Sequence, residues 1–220
     1  MADLAANAPL QAAEPNRDCP LCPRLASFRD AWRAAEPDWH NAPVSTFGSL
    51  DSRLLIVGLA PGLRGANRTG RPFTGDYAGD LLYRTMLDFG FASGAYEARP
   101  DDGLRLVDAA IANAVRCVPP ENKPTPAEIN TCRRFLIGTL AAMPNLTAIL
   151  ALGRIAHESV AVALGVKRST WKFGHGNIHP VRPGLSLYDS YHCSRYNTNT
   201  GVLTAAMFRS VFAGIQSALG

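Results

Sequence analysis

The chain has 220 residues, 47% of them hydrophobic, with 22 basic and 18 acidic residues giving a formal net charge of +4. That suffices for one sizeable core but not for two comfortable domains, so a flexible tail over residues 1–16 and a single domain over 17–220 are expected. No stretch reads as a secretory leader and no apolar run reaches the roughly 18–20 residues of a membrane span, so a cytoplasmic protein with no membrane partner is expected.

Along the chain, apolar strands alternate with helices. RLLIVGLA (53–60) is a buried strand that runs into GLAPGLRGANRTGRPFTGD (58–76), a turn with five glycines and two prolines. TGDYAGDLLYRTMLDFGF (74–91) follows as a helix with Leu81, Leu82, Met86 and Leu87 on one side. The next strand ends near Asn113. TPAEINTCRRFLIGTLAAM (125–143) is a helix with Thr125 as cap, Pro126 at its first position and Glu128 completing a capping box. NLTAILALG (145–153) is a strand, and RIAHESVAVALG (154–165) a helix closed by Gly165. LSLYDSYHCS (185–194) is a fourth strand, and TGVLTAAMFRSVFAGIQSAL (200–219) the closing helix. Such repetition predicts an α/β fold with a parallel sheet covered on both faces. Ligands in these sheets sit at the carboxyl ends of strands, here near Gly58–Gly62, Asn113, Gly153 and His192–Ser194.

Two basic stretches lack an acid, RGANRTGR (64–71) and the segment 167–182 with Lys167, Arg168, Lys172 and Arg182. Both suit phosphate contacts. HGNIHP (175–180) holds two histidines at a compact spacing, too few ligands for a metal site, and reads as a DNA-facing or structural loop.

Cys19 and Cys22 form a CPLC pair in an irregular segment ahead of the fold, with Cys117 after a strand and Cys132 in a helix. Four thiolates brought together can hold zinc or an iron–sulfur cluster, and spacing alone does not separate the two. Cys193 neighbours His192, but adjacent strand residues point to opposite faces, so it reads as a packed thiol.

GLAPGLRG does not match the G-x-G-x-x-G dinucleotide fingerprint, and no G-K-[ST] appears. The turn reads better as a wall, with backbone from Gly58 to Gly62 close to a flat ligand, Phe73 as a stacking face and Asp76 beside it.

GLAPG…NRTGRPFTGD, IANAVRC, SYHCSRYNTNTG and the four spaced cysteines together resemble the iron–sulfur uracil-DNA glycosylases of family 5, or type B. The resemblance covers about residues 17–212 and implies an enzyme of base-excision repair. It would act as a monomer on double-stranded DNA, hydrolysing the N-glycosidic bond of uracil, hydroxymethyluracil, ethenocytosine or hypoxanthine. The fold implied is a three-layer α/β/α sandwich with a central four-stranded, mostly parallel sheet. Cys19, Cys22, Cys117 and Cys132 would hold a [4Fe–4S] cluster. Asp76, Asn113 and His192 would be catalytic; Gly58, Ala60, Gly62 and Phe73, with Asn113 and His192, would bind the base. Arg68, Arg195, Thr198, Asn199 and Thr200 would take DNA phosphate, the last three at the start of the final helix. The first motif carries Leu59 and Ala60 where relatives of other types have an acid, which places the weight on Asp76. HCS stands where the commoner His-Pro-Ser would.

Overall fold

A computed structural model describes residues 14–220; most of the expected tail, residues 1–13, lies outside the described residues. In chain order the elements are α1 (Pro23–Ala35), β1 (Phe47–Gly48), β2 (Leu54–Gly58), α2 (Ala66–Thr69), α3 (Tyr77–Asp88), β3 (Ala92–Ser93), β4 (Arg105–Leu106) and β5 (Ala109–Asn113). A 3-10 turn at Pro120–Asn122 leads to α4 (Pro126–Ala141), β6 (Ala148–Leu152), α5 (Arg154–Ala163), β7 (Ile178–Arg182), β8 (Leu185–Ser190), α6 (Arg195–Asn199) and α7 (Ala205–Leu219).

The main sheet has the order β1-β5-β2-β6-β8-β7. Its four central strands are parallel, and both edge strands run antiparallel. The sheet is therefore six-stranded rather than four-stranded. The added edges carry little strand signal: β1 is two residues long, and β7 contains Pro180, which a central strand would not tolerate.

The continuous apolar runs have a simple cause. In β2, Leu54 and Ile56 enter one core cluster with residues of α3 and α7, while Leu55 and Val57 enter a second with residues of α4 and α5. Burial on both faces removes the alternation that a half-exposed strand would show. Helix α4 starts as its sequence dictates, with Thr125 and Glu128 exchanging capping-box hydrogen bonds.

The CPLC pair lies in an irregular segment as expected, but Cys22 is the N-cap residue of α1, a helix the sequence reading does not include. The closing helix begins at Ala205 under a Thr204 cap, and the preceding residues form the separate short helix α6.

Candidate active site

The carboxyl ends of β2 and β5 are in register, Gly58 opposite Asn113. The glycine-rich turn leaves β2 there and lines a cavity of about 530 Å³. Its shape is fixed from behind by α1. Asn67 donates to Asn41 Oδ1 at 2.8 Å, and Asn41 Nδ2 donates to the Glu36 and Trp32 carbonyls at 2.7 and 3.1 Å.

Ala60, Gly62, Phe73, Asp76, Asn113 and His192 all line this cavity. Gly58 lies just behind it, where a β-carbon would stand 2.5 Å from Asn113 Oδ1 and 2.6 Å from the Phe73 ring. Only glycine lets those two side chains close over the strand end.

Phe73 is 6% exposed and belongs to a core cluster, yet its ring stacks on His192 at a centroid distance of 5.9 Å and an angle of 29°. It holds a left-handed backbone conformation, φ 51°, which costs a bulky residue on the order of 1–3 kcal/mol. Tyr83 Oη donates to the Pro72 carbonyl at 2.5 Å and Tyr96 Oη to the Phe73 carbonyl at 3.3 Å, fixing the peptides on both sides.

Asp76 is half-buried and caps α3, its Oδ1 accepting the Gly79 amide at 3.2 Å. Oδ2 faces the turn, 2.6 Å from where a Gly65 β-carbon would be. Burial raises the Asp76 carboxyl above its ordinary value, opposed by the Gly79 and Ala78 amides. Burial also pushes His192 down to about 4, so the imidazole is neutral at physiological pH. Asn113 is 2% exposed, and its Oδ1 is buried without a hydrogen-bond partner. Asn113 lines the cavity, and a buried acceptor without a protein partner is one that a ligand can satisfy.

Cys193 is fully buried, its thiol donating to the Ala78 carbonyl at 3.4 Å. It is a packed thiol, as its position beside His192 suggested.

The basic stretches divide. Arg71 is not available to phosphate: it is 5% exposed, pairs with Asp102 at 2.7 and 2.8 Å, and lies against the rings of Phe47, Tyr83 and Tyr96. Arg64 lines the cavity, whereas exposed Arg68 borders a neighbouring groove with His40 and Arg99. Arg195 lines the cavity mouth with its guanidinium over Tyr77 at 5.2 Å. Arg182 sits at the opposite end of the sheet, opposite the first residue of β8.

Thr198, Asn199 and Thr200 fall at the carboxyl end of α6, not at a helix start. The Thr198 and Thr200 hydroxyls donate to helix carbonyls, Thr200 to Tyr196 at 2.7 Å. Arg64, of the basic stretch, lines the cavity, while three residues at the cavity or beside it escaped sequence reasoning. Asn122 lines it in a left-handed conformation after Glu121. Tyr77 is 37% exposed at the mouth, and Tyr196, next to Arg195, is 74% exposed. Exposed aromatics beside a site are the signal that finds such residues.

The four cysteines form a second site. Cys19, Cys22, Cys117 and Cys132 line one small cavity with Leu25 and Phe135. All four are free thiols. Burial pushes Cys22 up to about 11 and Cys117 up to about 12, and raises Cys132. Thiols so desolvated become thiolates only with a cation among them. The Arg116 amide donates to Cys132 Sγ at 3.2 Å, the outer-shell contact that a metal-bound sulfur takes.

The strand-end cavity thus brings a carboxylate, an amide and a neutral histidine together in an α/β fold. The family model described as "Uracil DNA glycosylase superfamily" matches residues 45–216. The chain is 45% identical over 200 residues to the type-5 uracil-DNA glycosylase of Thermus thermophilus, covering 88% of this chain and 90% of that one. The type-5 uracil-DNA glycosylase of Mycobacterium tuberculosis is 40% identical over 212 residues, 92% of this chain and 78% of its own. That of Pyrobaculum aerophilum is 37% identical over 198 residues, 88% and 86%. The chain belongs to the uracil DNA glycosylase superfamily and, within it, to the type-5 uracil-DNA glycosylases. Membership and the gathered thiols together imply a metal cofactor. Among the described residues no helix is long and apolar enough to cross a membrane.

Proposed function

We propose that the protein is a monofunctional DNA glycosylase that removes uracil and other deaminated or damaged bases, hypoxanthine, hydroxymethyluracil and ethenocytosine among them, from double-stranded DNA in base-excision repair. The observation that carries this reading is Asn113, its Oδ1 buried and without a hydrogen-bond partner, lining the same cavity as neutral His192 and the Asp76 carboxylate. Uracil offers an N–H to such an acceptor and a carbonyl oxygen to an imidazole donor.

In the reaction the glycosidic bond breaks with its electron pair leaving on the base. The sugar gains oxocarbenium character, and a water oxygen bonds to the anomeric carbon. His192 donates a hydrogen bond to the base carbonyl oxygen where negative charge collects. Its neutrality at physiological pH means that no proton need be lost first. Asp76 accepts the proton that the attacking water gives up, and its charge opposes that of the sugar. Burial makes it a better base than an exposed carboxylate. The base anion then takes up a proton from solvent and Asp76 gives its proton back to solvent, so the products are the free base and an abasic site.

Phe73 gives the flipped base a face. Beside it the wall is Ala60 and Gly62, with little side chain to reject a second ring, and the cavity lies within the roughly 300–1,000 Å³ range of small-molecule sites. Both features support a broad substrate range over a uracil-only one. Arg64 and Arg195 at the mouth support a phosphate path, with Arg68, Thr198, Asn199 and Thr200 along its flanks. Tyr196, exposed next to cavity-lining Arg195, would fill the gap left by the flipped base.

Cys19, Cys22, Cys117 and Cys132 would hold a [4Fe–4S] cluster. When bound, the cluster supplies a cross-link between the residues leading into α1, the loop after β5, and α4. A three-layer α/β/α sandwich around the six-stranded sheet, the single domain from residue 17, the monomer and a cytoplasmic location complete the reading; reduced thiol ligands suit that compartment.

Base release from duplexes carrying uracil, hypoxanthine, hydroxymethyluracil or ethenocytosine tests it. Release of all four is expected; release of uracil alone contradicts the broad range, and no release contradicts the activity.

A further inference from the structure

A buried cluster stands on the side of β8 away from the base cavity. His157 of α5, His179 of β7 and Asp189 of β8 are 1%, 9% and 0% exposed. His157 Nδ1 lies 2.7 Å from Asp189 Oδ1, and its Nε2 lies 3.1 Å from the Trp171 carbonyl oxygen. A carboxylate and a carbonyl are both acceptors, so both ring nitrogens carry hydrogen and the ring is an imidazolium. Asp189 Oδ2 accepts from His179 Nε2 at 2.9 Å and from the Gly174 amide at 3.3 Å. The three side chains lie within 4.8 Å of one another, as around a cation, but the hydrogen on His157 Nδ1 fills that place.

These bonds hold one segment, Trp171–Asn177, onto β8. Its backbone is tied at Asp189 as well, with Gly176 donating to the Asp189 carbonyl and Asp189 to the Asn177 carbonyl, both at 2.9 Å. The segment ends against the active site. His175 Nδ1 accepts the Tyr191 amide at 3.2 Å, and its ring packs on Tyr191 at 5.2 Å. Tyr191 immediately precedes His192. A chain of direct contacts thus runs from His157 through Asp189 and the segment to the Ser190–Tyr191 peptide, one residue before the proposed donor.

We propose that His157 is a positioning residue for base excision: held between Asp189 and the Trp171 carbonyl, it pins Trp171–Asn177 against β8, and His175 in that segment fixes the Ser190–Tyr191 peptide, one residue before His192 at the cavity. The inference rests on the proposed role of His192. Two protonation states are needed together. His157 must be charged, and His175, which accepts an amide hydrogen at Nδ1, must be neutral. The groups facing His157 are Asp189 and His179 from the sheet, Trp171 and Phe173 from the segment, and Glu158 and Arg154 on its own helix, Arg154 lying over Phe173. Those facing His175 are Tyr191, Ser190 and Met207, none of them charged. The shifts agree with the geometry. His157 is raised despite its burial because Asp189 stabilises its charged form. His175 is lowered by burial.

The test has an arm that does not depend on activity. Nitrogen-15 spectra of histidine-labelled wild type, recorded about one unit above the ordinary histidine value of about 6.5, should show His157 protonated on both nitrogens and His175 on one. His157 as a single neutral tautomer overturns the proposal. In the second arm, His157→Gln and His175→Ala are assayed by single turnover on a uracil duplex. Each should lower the saturated rate about 10- to 100-fold while leaving duplex affinity within about threefold, because the donor is misplaced rather than the DNA lost. Either variant reacting at the wild-type rate, or losing affinity instead of rate, overturns it. Should His157→Gln fail to fold, His175→Ala, which strands no charge, decides together with the spectra. If wild type releases no base, the functional reading falls, and the spectra still judge the clamp.

Discussion

Gly65 and Asp76 are in contact: a β-carbon on Gly65 would stand 2.6 Å from the Asp76 Oδ2 and 3.1 Å from its Cβ and Cγ. The glycine-rich turn therefore does more than approach a ligand, since it also sets where the one carboxylate of the stretch can point. Gly65→Ala is expected to swing that carboxylate and lower base release about 10- to 100-fold, the scale of a misplacement near 1 Å. Single-turnover kinetics on a uracil duplex check this; an unchanged rate shows that Asp76 does not depend on the turn.

The pH profile should carry the signature of two buried groups. Asp76 acts as a carboxylate and its pKa is raised, so activity falls on acidification at a pH above the ordinary value of 3.8. His192 becomes charged only near 4, below the ordinary 6.5. A rate plateau across pH 6.5 is expected, and a break there that disappears in His192→Gln contradicts the neutral-donor role.

Stability should move opposite to activity at Asp76. A carboxyl whose folded pKa is raised contributes stability below its unfolded pKa, and that contribution is lost as pH rises through the folded value. At neutral pH Asp76 is thus a cost to the fold. Asp76→Asn keeps a good helix cap and is expected to raise the thermal midpoint at neutral pH, with the gain vanishing toward pH 3. A lower midpoint at neutral pH contradicts it.

Asn113 should be nearly free to remove from the fold yet not from the reaction. Its Oδ1 has no protein partner, so Asn113→Ala should change stability by less than about 1 kcal/mol while lowering uracil release by about 1–3 kcal/mol of transition-state binding. Thermal melts and uracil kinetics on one preparation check both halves.

The four cysteines predict a coloured, metal-dependent fold. Purified protein should contain about four irons per chain and absorb in the visible. Cys132→Ala, which removes a buried ligand, should lose iron and lower the thermal midpoint together. Colourless protein carrying one zinc contradicts the cluster.

The central sheet was legible because its strands are buried on both faces and read as unbroken apolar runs. Its edges were not: β1 gives two residues and β7 a proline. Helix α1 was missed because it buries only Leu25 and Arg29, so no apolar stripe marks it. The site residues from the turn and strand ends were legible as types at a strand edge. What sequence could not give was pairing across distance. Arg71 looks free in its own stretch until Asp102 is brought to it. Asp189 looks like an ordinary polar interruption of an apolar strand until two histidines close on it. The NTNTG stretch misled because the Ser194 cap, not the threonines, starts the helix there.

The most direct test of the central claim is single-turnover base release from a uracil-containing duplex by wild type, Asp76→Asn and His192→Ala, with folding checked by thermal melts. Wild type is expected to form abasic sites, and each folded variant to do so at least about 100-fold more slowly. Full-rate abasic-site formation by either variant contradicts the assignment of base and donor to these two residues.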